Sequence, residues 1–206
     1  DGPIKDDLAN KLSSIKDERI NILWLQENVG LGDALNKGMD VVRNRLVMRM
    51  DADDRCSLVR AETLYQEWDN SDKIGAVGSY IGEFNDDHRC CHRKIVYPDK
   101  VKAEDNYFYL RDPIGHASVM FDKAVVEAAG GYMSCPYFED TYLWLRMIKA
   151  GYGFRTVKQT LYFAKIGDGF HERRAGLSYL KLEIKNLTLF RRQGLISLGS
   201  YCFNVI

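Results

Sequence analysis

A chain of 206 residues fits one domain and can bury a core without disulfide staples. Lys plus Arg and Asp plus Glu both total 29, so the formal net charge is zero and bulk charge points to no polyanionic partner such as nucleic acid. The five Cys show no C-x-x-C pair and no Cys/His zinc spacing, which reads as free thiols of a reducing compartment, and no apolar run is long enough to cross a bilayer.

Asp1-Gly2-Pro3 is turn chemistry, after which Ile4, Leu8, Leu12 and Ile15 recur at helical spacing. The run Ile20 to Leu25, with its β-branched and aromatic members, predicts a strand. Asn28 to Gly32 is a loop, and Ala34, Leu35, Met39 and Val42 predict a second helix. Leu46 to Met50 predicts a strand, Leu58 to Trp68 a helix and Ile74 to Tyr80 a strand. This alternation predicts βαβ units, an α/β class and a mainly parallel central sheet flanked by helices. Further on, Arg93 to Tyr97 and Ser118 to Phe121 predict strands, and Lys123 to Ala129 and Asp140 to Ala150 predict helices. Phe154 to Lys158 and Leu161 to Ile166 suggest a strand pair, and a long amphipathic stretch runs from about Leu177 to Arg192. Aromatics make up 12% of the chain, a content that suits sugar stacking, although ordinary packing accounts for most such residues.

Three segments carry chemistry. In Met50-Asp51-Ala52-Asp53-Asp54 an apolar strand ends in three carboxylates within four positions. Ligands of open α/β sheets sit at the carboxyl ends of strands, and like charges this close call for a cation. Mg²⁺ and Mn²⁺ are hard ions that take such oxygens and share them with phosphates. An acidic turn capping the next helix accounts for the same residues. In Asn28-Val29-Gly30-Leu31-Gly32 to Gly38 the glycines allow a close backbone approach and the following helix start favours an anion, although a plain turn has the same composition. In Phe138-Glu139-Asp140-Thr141 paired acids open an amphipathic helix, either complementing the helix dipole or placing a general base.

Taken in order, these segments resemble the bacterial family 2 glycosyltransferases of the GT-A type. Asn28 to Gly38 is similar to that family's N-x-G-x-x-x-A-x-N-x-G segment, and Asp51-Ala52-Asp53 to its DXD motif. Gly115-His116-Ala117-Ser118-Val119-Met120-Phe121 is similar to its acceptor-side strand, with Ala117 where relatives often carry Pro. Gly130-Gly131-Tyr132 with Glu139-Asp140 resembles the segment ending in the catalytic base, and Arg173-Arg174-Ala175-Gly176 a late Arg-Arg-Gly-Gly stretch. The family's first strand, helix and following strand do not precede Asp1, so the resemblance implies a GT-A fold lacking its first strand, with marginal stability and weak donor binding.

The resemblance implies a single domain over 1–206. Its nucleotide-binding half spans 1–80, its acceptor and catalytic half 81–170, and its helical end 171–206. It implies inverting transfer from a nucleoside diphosphate sugar, most often a uridine one, to a saccharide or lipid-linked saccharide of a bacterial surface polysaccharide. Asp1 would contact the base within a nucleotide-sugar site that includes Asn28, Gly30 and Asn36. Asp51 would meet the ribose or the water shell of the metal, and Asp53 would ligate Mn²⁺ or Mg²⁺. Asp140 would be the base, with Glu139 the alternative. His116 would lie near the acceptor, and Arg173 and Arg174 would hold the diphosphate. A cytoplasmic enzyme, peripheral at the inner face of the membrane, is expected. The stripe Leu177, Leu180, Ile184, Leu187 and Phe190, with Lys181, Lys185, Arg191 and Arg192, either packs on the domain or lies on an anionic surface from Phe190 onward. A sugar-nucleotide pyrophosphorylase and a non-catalytic nucleotide-sugar-binding fragment are the competing readings.

Overall fold

The computed structural model describes residues 1–68, 73–85, 91–103, 112–167 and 176–205, Val205 by backbone alone. The helical spacing after Pro3 produces α1 (Asp6–Ser13), and the glycine loop leads into α2 (Leu31–Val41). Then come β1 (Leu46–Met48), β2 (Arg55–Cys56), α3 (Arg60–Gln66) and the long β3 (Ile74–Phe84). After β4 (Arg93–Ile95) and β5 (Lys100–Val101), a 3-10 turn at His116–Ser118 precedes β6 (Met120–Asp122) and α4 (Lys123–Ala128). Helix α5 (Glu139–Lys149), strand β7 (Gly153–Lys165), α6 (Leu177–Arg192) and α7 (Leu198–Val205) complete the order.

The α/β class and the helix-flanked sheet are as expected, but the sheet is mixed rather than mainly parallel. Its strand order is β1-β6-β3-β7-β2, with β4 on β3 and β5 on β7. Only β3 and β7 pair in parallel among the described residues; β6 runs antiparallel to both β1 and β3. Strands β1 and β3 therefore share a direction, as a βαβ unit requires, with a strand from later in the chain inserted between them. Alternation in sequence reports strand direction and leaves the neighbour open. Residues Ile20 to Leu25 form no strand, and Ile20, Leu23 and Trp24 are exposed. No ladder partner lies beside them among the described residues, and an unpaired extended segment has its main-chain groups solvated. The pair expected at Phe154 to Ile166 is one strand. Its register against β3 shifts where Val157 faces Ser79 and Thr160 faces Tyr80, so Lys158 and Gln159 form a bulge rather than a turn.

Strand β3 is buried at all but one position, as expected of a strand covered on both faces. One face packs Ala76, Phe121 and Phe154 against Val126, Leu143, Trp144 and Met147 of α4 and α5. The other packs Val77, Met120 and Leu161 against Leu64 of α3. Helix α4 starts where Asp122 accepts from the Ala124 amide (2.9 Å), and Arg45 pairs with the other oxygen of Asp122 (2.7 Å). Helix α5 opens with acids and closes with Arg146 and Lys149, matching its dipole.

At Gly153 the main chain of β5 lies so close that a Cβ would collide with the Val101 carbonyl oxygen. Gly153→Ala should therefore push β5 off β7 and destabilise the fold by about 1–3 kcal/mol. Each kcal/mol lowers the melting temperature by roughly 2–4 °C at this length. An unchanged thermal melt would show that β5 yields without loss.

Candidate active site

The end of β1 builds the first wall of a cleft of about 960 Å³. The Arg49 amide still donates to Val119 (3.0 Å), after which the chain leaves the sheet. The three carboxylates that follow are sorted by their partners. Asp54 accepts from the Tyr162 hydroxyl (2.5 Å) and the Lys165 amide (2.7 Å), so it is tied to β7. The same Tyr162 oxygen accepts from the Asp51 amide (3.0 Å). Burial, then the bond to Asp54, raises the pKa of Tyr162 and keeps its proton in place. Asp51 has one oxygen held by Arg49 (2.5 Å); burial pushes its pKa up, opposed by Arg49 and reinforced by Asp54 and Asp53. Asp53 is exposed at the cleft lining and accepts no hydrogen bond among the described residues.

The opposite wall is the start of α5. Glu139 and Asp140 line the same cleft as Asp51 and Asp53. Burial, then the charge of Asp140, raises the pKa of Glu139; backbone amides at Glu139 and Tyr137 oppose the rise. One Asp140 oxygen accepts from the Thr141 amide (2.8 Å), and the Thr141 hydroxyl donates to Asp112 (2.7 Å). Between the walls lies His116, buried, with Nε2 2.8 Å from the Tyr132 hydroxyl and its ring against Trp144. Burial, aided by the charge of Arg49, drives its pKa well below the usual histidine value, so it is neutral.

The glycine loop stands apart from this lining. Asp1 accepts from the amides of Val29 (2.8 Å) and Gly30 (3.2 Å), and the Asn28 side chain also accepts from Gly30 (3.0 Å). Of this segment Leu31 reaches the cleft. Asn36 uses both ends of its amide on the Tyr132 main chain (2.7 and 2.8 Å), which ties α2 to the turn before α5. Gly131 makes that possible: its φ of 65° suits glycine, and a Cβ there would lie 2.9 Å from the Asn36 side-chain oxygen. Arg173 and Arg174 lie outside the described residues. The apolar stripe of α6 divides. The surface-lying part does not begin at Phe190 as expected: Phe190 is buried with Tyr142, Leu145 and Ile196, whereas Leu177 and Leu180, before it, are exposed, as are Leu198 and Phe203 of α7.

Several lining residues carried no sequence signal. Arg49, Asp112, Glu83 and Tyr97 border the cleft, and burial together with the charges of Asp112, Asp140 and Glu83 raises the pKa of Tyr97. Beneath the acidic turn, fully buried Arg60 donates to the carbonyls of Arg49 (2.7 Å) and Ala117 (3.2 Å). The donor set at Asp51 and Asp53 fits a hard divalent cation. Such ions take one or two carboxylates and complete their shell with water and phosphate oxygens. Among the described residues no three acidic, His or Cys side chains cluster so as to hold a metal ion by themselves.

The profile of Glycosyl transferase family 2 matches residues 1–127, and the chain belongs to that family. It is similar to the amylovoran biosynthesis glycosyltransferase AmsE of Erwinia amylovora, 29% identical over 90% of this chain and 69% of that protein. It is also similar to the UDP-Gal:alpha-D-GlcNAc-diphosphoundecaprenol beta-1,3-galactosyltransferase of Escherichia coli, 28% identical over 100% of this chain and 75% of that one. The fold matches that of S. aureus TarS 1-349 in complex with UDP-GlcNAc, at a TM-score of 0.58 and 11% identity, covering 88% of this chain and 52% of that one. It also matches the mannosyltransferase PcManGT of Pyrobaculum calidifontis in complex with GDP-Man and Mn²⁺, at a TM-score of 0.56 and 17% identity, covering 81% of this chain and 45% of that one. The architecture is thus the GT-A fold, and the chain spans about half the length of these two solved structures.

The raised pKa of Glu139 has a consequence for stability. A carboxylate whose folded pKa lies above its unfolded value favours folding at low pH, and that contribution is lost as pH rises through the folded pKa. Glu139→Gln removes the loss. The variant should melt higher than wild type at pH 7, and the difference should vanish below about pH 4, where the acid is protonated in both states. Equal melting temperatures at pH 7 would show that the Glu139 charge is not under strain.

Proposed function

We propose that this family 2 glycosyl transferase moves a sugar from a nucleoside diphosphate sugar, a uridine one, onto a hydroxyl of a saccharide or lipid-linked saccharide. The product would be a bacterial surface polysaccharide or its precursor, and the anomeric configuration would invert in one displacement. The observation that carries this reading is the shared cleft, with Asp51 and Asp53 on one wall and Glu139 and Asp140 on the other. The relatives support it by what they are named for: amylovoran synthesis in one, and UDP-Gal with a diphosphoundecaprenol-linked GlcNAc in the other.

In this reading Asp53, with Asp51 beside it, holds Mn²⁺ or Mg²⁺. The bound ion supplies positive charge toward the diphosphate leaving group. Asp51 also faces the ribose, while Asp1 organises the loop of Asn28 and Gly30 that borders the base. Asn36 braces that loop's helix against Tyr132. Arg173 and Arg174, which precede α6 in the sequence, are assigned to the diphosphate by the family resemblance alone. Asp140 accepts the proton of the acceptor hydroxyl, which attacks the anomeric carbon from the face opposite the diphosphate; Glu139 is the alternative base. Neutral His116 orients the acceptor side through Tyr132 and carries no charge of its own into the cleft. No helix among the described residues is long and apolar enough to cross a membrane. We place the enzyme in the cytoplasm, with Leu177, Leu180, Leu198 and Phe203 resting on the inner leaflet where a lipid-linked acceptor would be met.

Nucleoside diphosphate release from a panel of donors tests the assignment. Asp140→Asn should lower kcat by about 10²–10⁴-fold while leaving donor binding nearly unchanged, and Glu139→Gln should cost less. The reverse ranking would move the base to Glu139. Asp53→Ala should abolish release that depends on the divalent ion without changing the thermal melt. Undiminished wild-type turnover in excess EDTA would end the metal role.

A further inference from the structure

Tyr137 has a backbone conformation that its side chain does not favour. The turn Cys135–Phe138 closes with the Phe138 amide on the Cys135 carbonyl (2.7 Å), has Pro136 at its second position and Tyr137, at φ 68°, at its third. That is the pattern of a type II turn, whose third position suits Gly or Asn. Tyr137 is the one residue other than Gly with a positive φ among the described residues. Packing does not account for the ring, which remains 52% exposed. It lines the cleft with Pro136, two residues before Glu139, and meets the Tyr179 ring of α6 nearly at right angles (5.9 Å between centroids, 70° between planes). Tyr179 thus fixes the orientation of a ring that lines the cleft and stays half exposed.

An unfavourable backbone conformation at the rim of a site calls for a functional explanation when a simpler residue would relax it. Here glycine would relax it, and only the ring would be lost. An open aromatic face in a cleft lined by carboxylates is chemically suited to the apolar C–H face of a pyranose, whose hydroxyls then meet the acids around it. We infer that Tyr137 is a stacking platform for the acceptor sugar and helps determine which acceptor the enzyme takes. The inference rests on the transferase reading, and the acceptor rather than the donor is chosen because Tyr137 belongs to the wall of Glu139 and Asp140, across from Asp51 and Asp53.

The test compares wild type, Tyr137→Gly and Tyr137→Phe, with a UDP-sugar donor and GlcNAc α-diphosphate on a short alkyl chain as acceptor. Tyr137→Gly should raise the acceptor KM by about tenfold or more. Its donor KM should be unchanged and its melting temperature no lower than wild type, because relief of the turn offsets loss of the Tyr179 contact. Tyr137→Phe keeps the ring and should retain the wild-type acceptor KM. An unchanged acceptor KM in Tyr137→Gly, or Tyr137→Phe as impaired as Tyr137→Gly, would overturn the platform. A parallel rise in donor KM would overturn it too, assigning the ring to the nucleotide. Wild-type protein that releases no nucleoside diphosphate from any donor would instead remove the transferase reading on which the platform rests.

Discussion

Arg60 is fully buried at the start of α3, and its guanidinium reaches in two directions at once. It donates to the carbonyl of Arg49, on the segment that leads into the acidic turn, and to the carbonyl of Ala117, in the turn that carries His116. Its plane lies over the Tyr162 ring at 4.8 Å. Taking a guanidinium out of water is expensive unless dipoles and π-density replace the water. Two carbonyls and the ring do part of that work, yet burial still lowers the Arg60 pKa, and its Nε and Nη1 have no hydrogen-bond partner among the described residues. The Cys56 thiol is the neighbour that most favours its charged form. An incompletely compensated buried cation has few arrangements open to it. The acidic turn and the His116 turn are therefore held in one fixed relation.

From that point the rest of the cleft follows. Tyr162 sits under Arg60 and spends its hydroxyl on the Asp51 amide and the Asp54 carboxylate. All three acids line the cleft, but both Asp54 oxygens are engaged by β7, one Asp51 oxygen is held by Arg49, and Asp53 accepts no hydrogen bond among the described residues. Three acids within four positions thus acquire three different surroundings through neighbours alone. A second set of bonds, from Asn36 to both main-chain groups of Tyr132, sets the turn before α5 against α2. Gly32 continues that contact, since a Cβ on it would lie 3.5 Å from the Glu139 side chain.

What was legible in the sequence was mostly local. Helices α2, α4, α5 and α6 follow from apolar spacing and from acids and bases at their ends, and β1 and β3 from compact apolar runs. The carboxylates of both walls were legible because residue type and strand-end position are local facts. The partners that sort them were not, since Tyr162 is 111 residues from Asp51 and Arg60 is 57 from Ala117. The two-residue strands β2 and β5 carry no periodicity to detect, and they exist because β7 offers each a ladder partner. The insertion of β6 between β1 and β3 is a tertiary event with no local signature. Tyr137 shows the limit most clearly: Pro136 announces a turn, but nothing in the letters places a tyrosine where glycine would be at ease.

The balance of charge across the cleft gives these geometric facts a common sense. Asp51 and Asp53 on one wall face Glu139 and Asp140 on the other, with Asp112 and Glu83 nearby, while Arg49 is already engaged with Asp51. Burial raises the pKa of both Asp51 and Glu139, so each folds less favourably as an anion than as an acid. Such a lining repels a diphosphate on its own. Under the proposed function it suits a donor that arrives with a divalent cation, and a hydroxyl whose proton must be taken by a carboxylate held in a partly buried, like-charged setting. A carboxylate raised toward neutrality is a better base in its ionised form than a fully solvated one. For Glu139, the electrostatic strain that weakens the folded state at neutral pH is then the same quantity that would strengthen it as a proton acceptor beside Asp140. The buried guanidinium of Arg60 keeps the acidic turn from drawing away from the His116 turn.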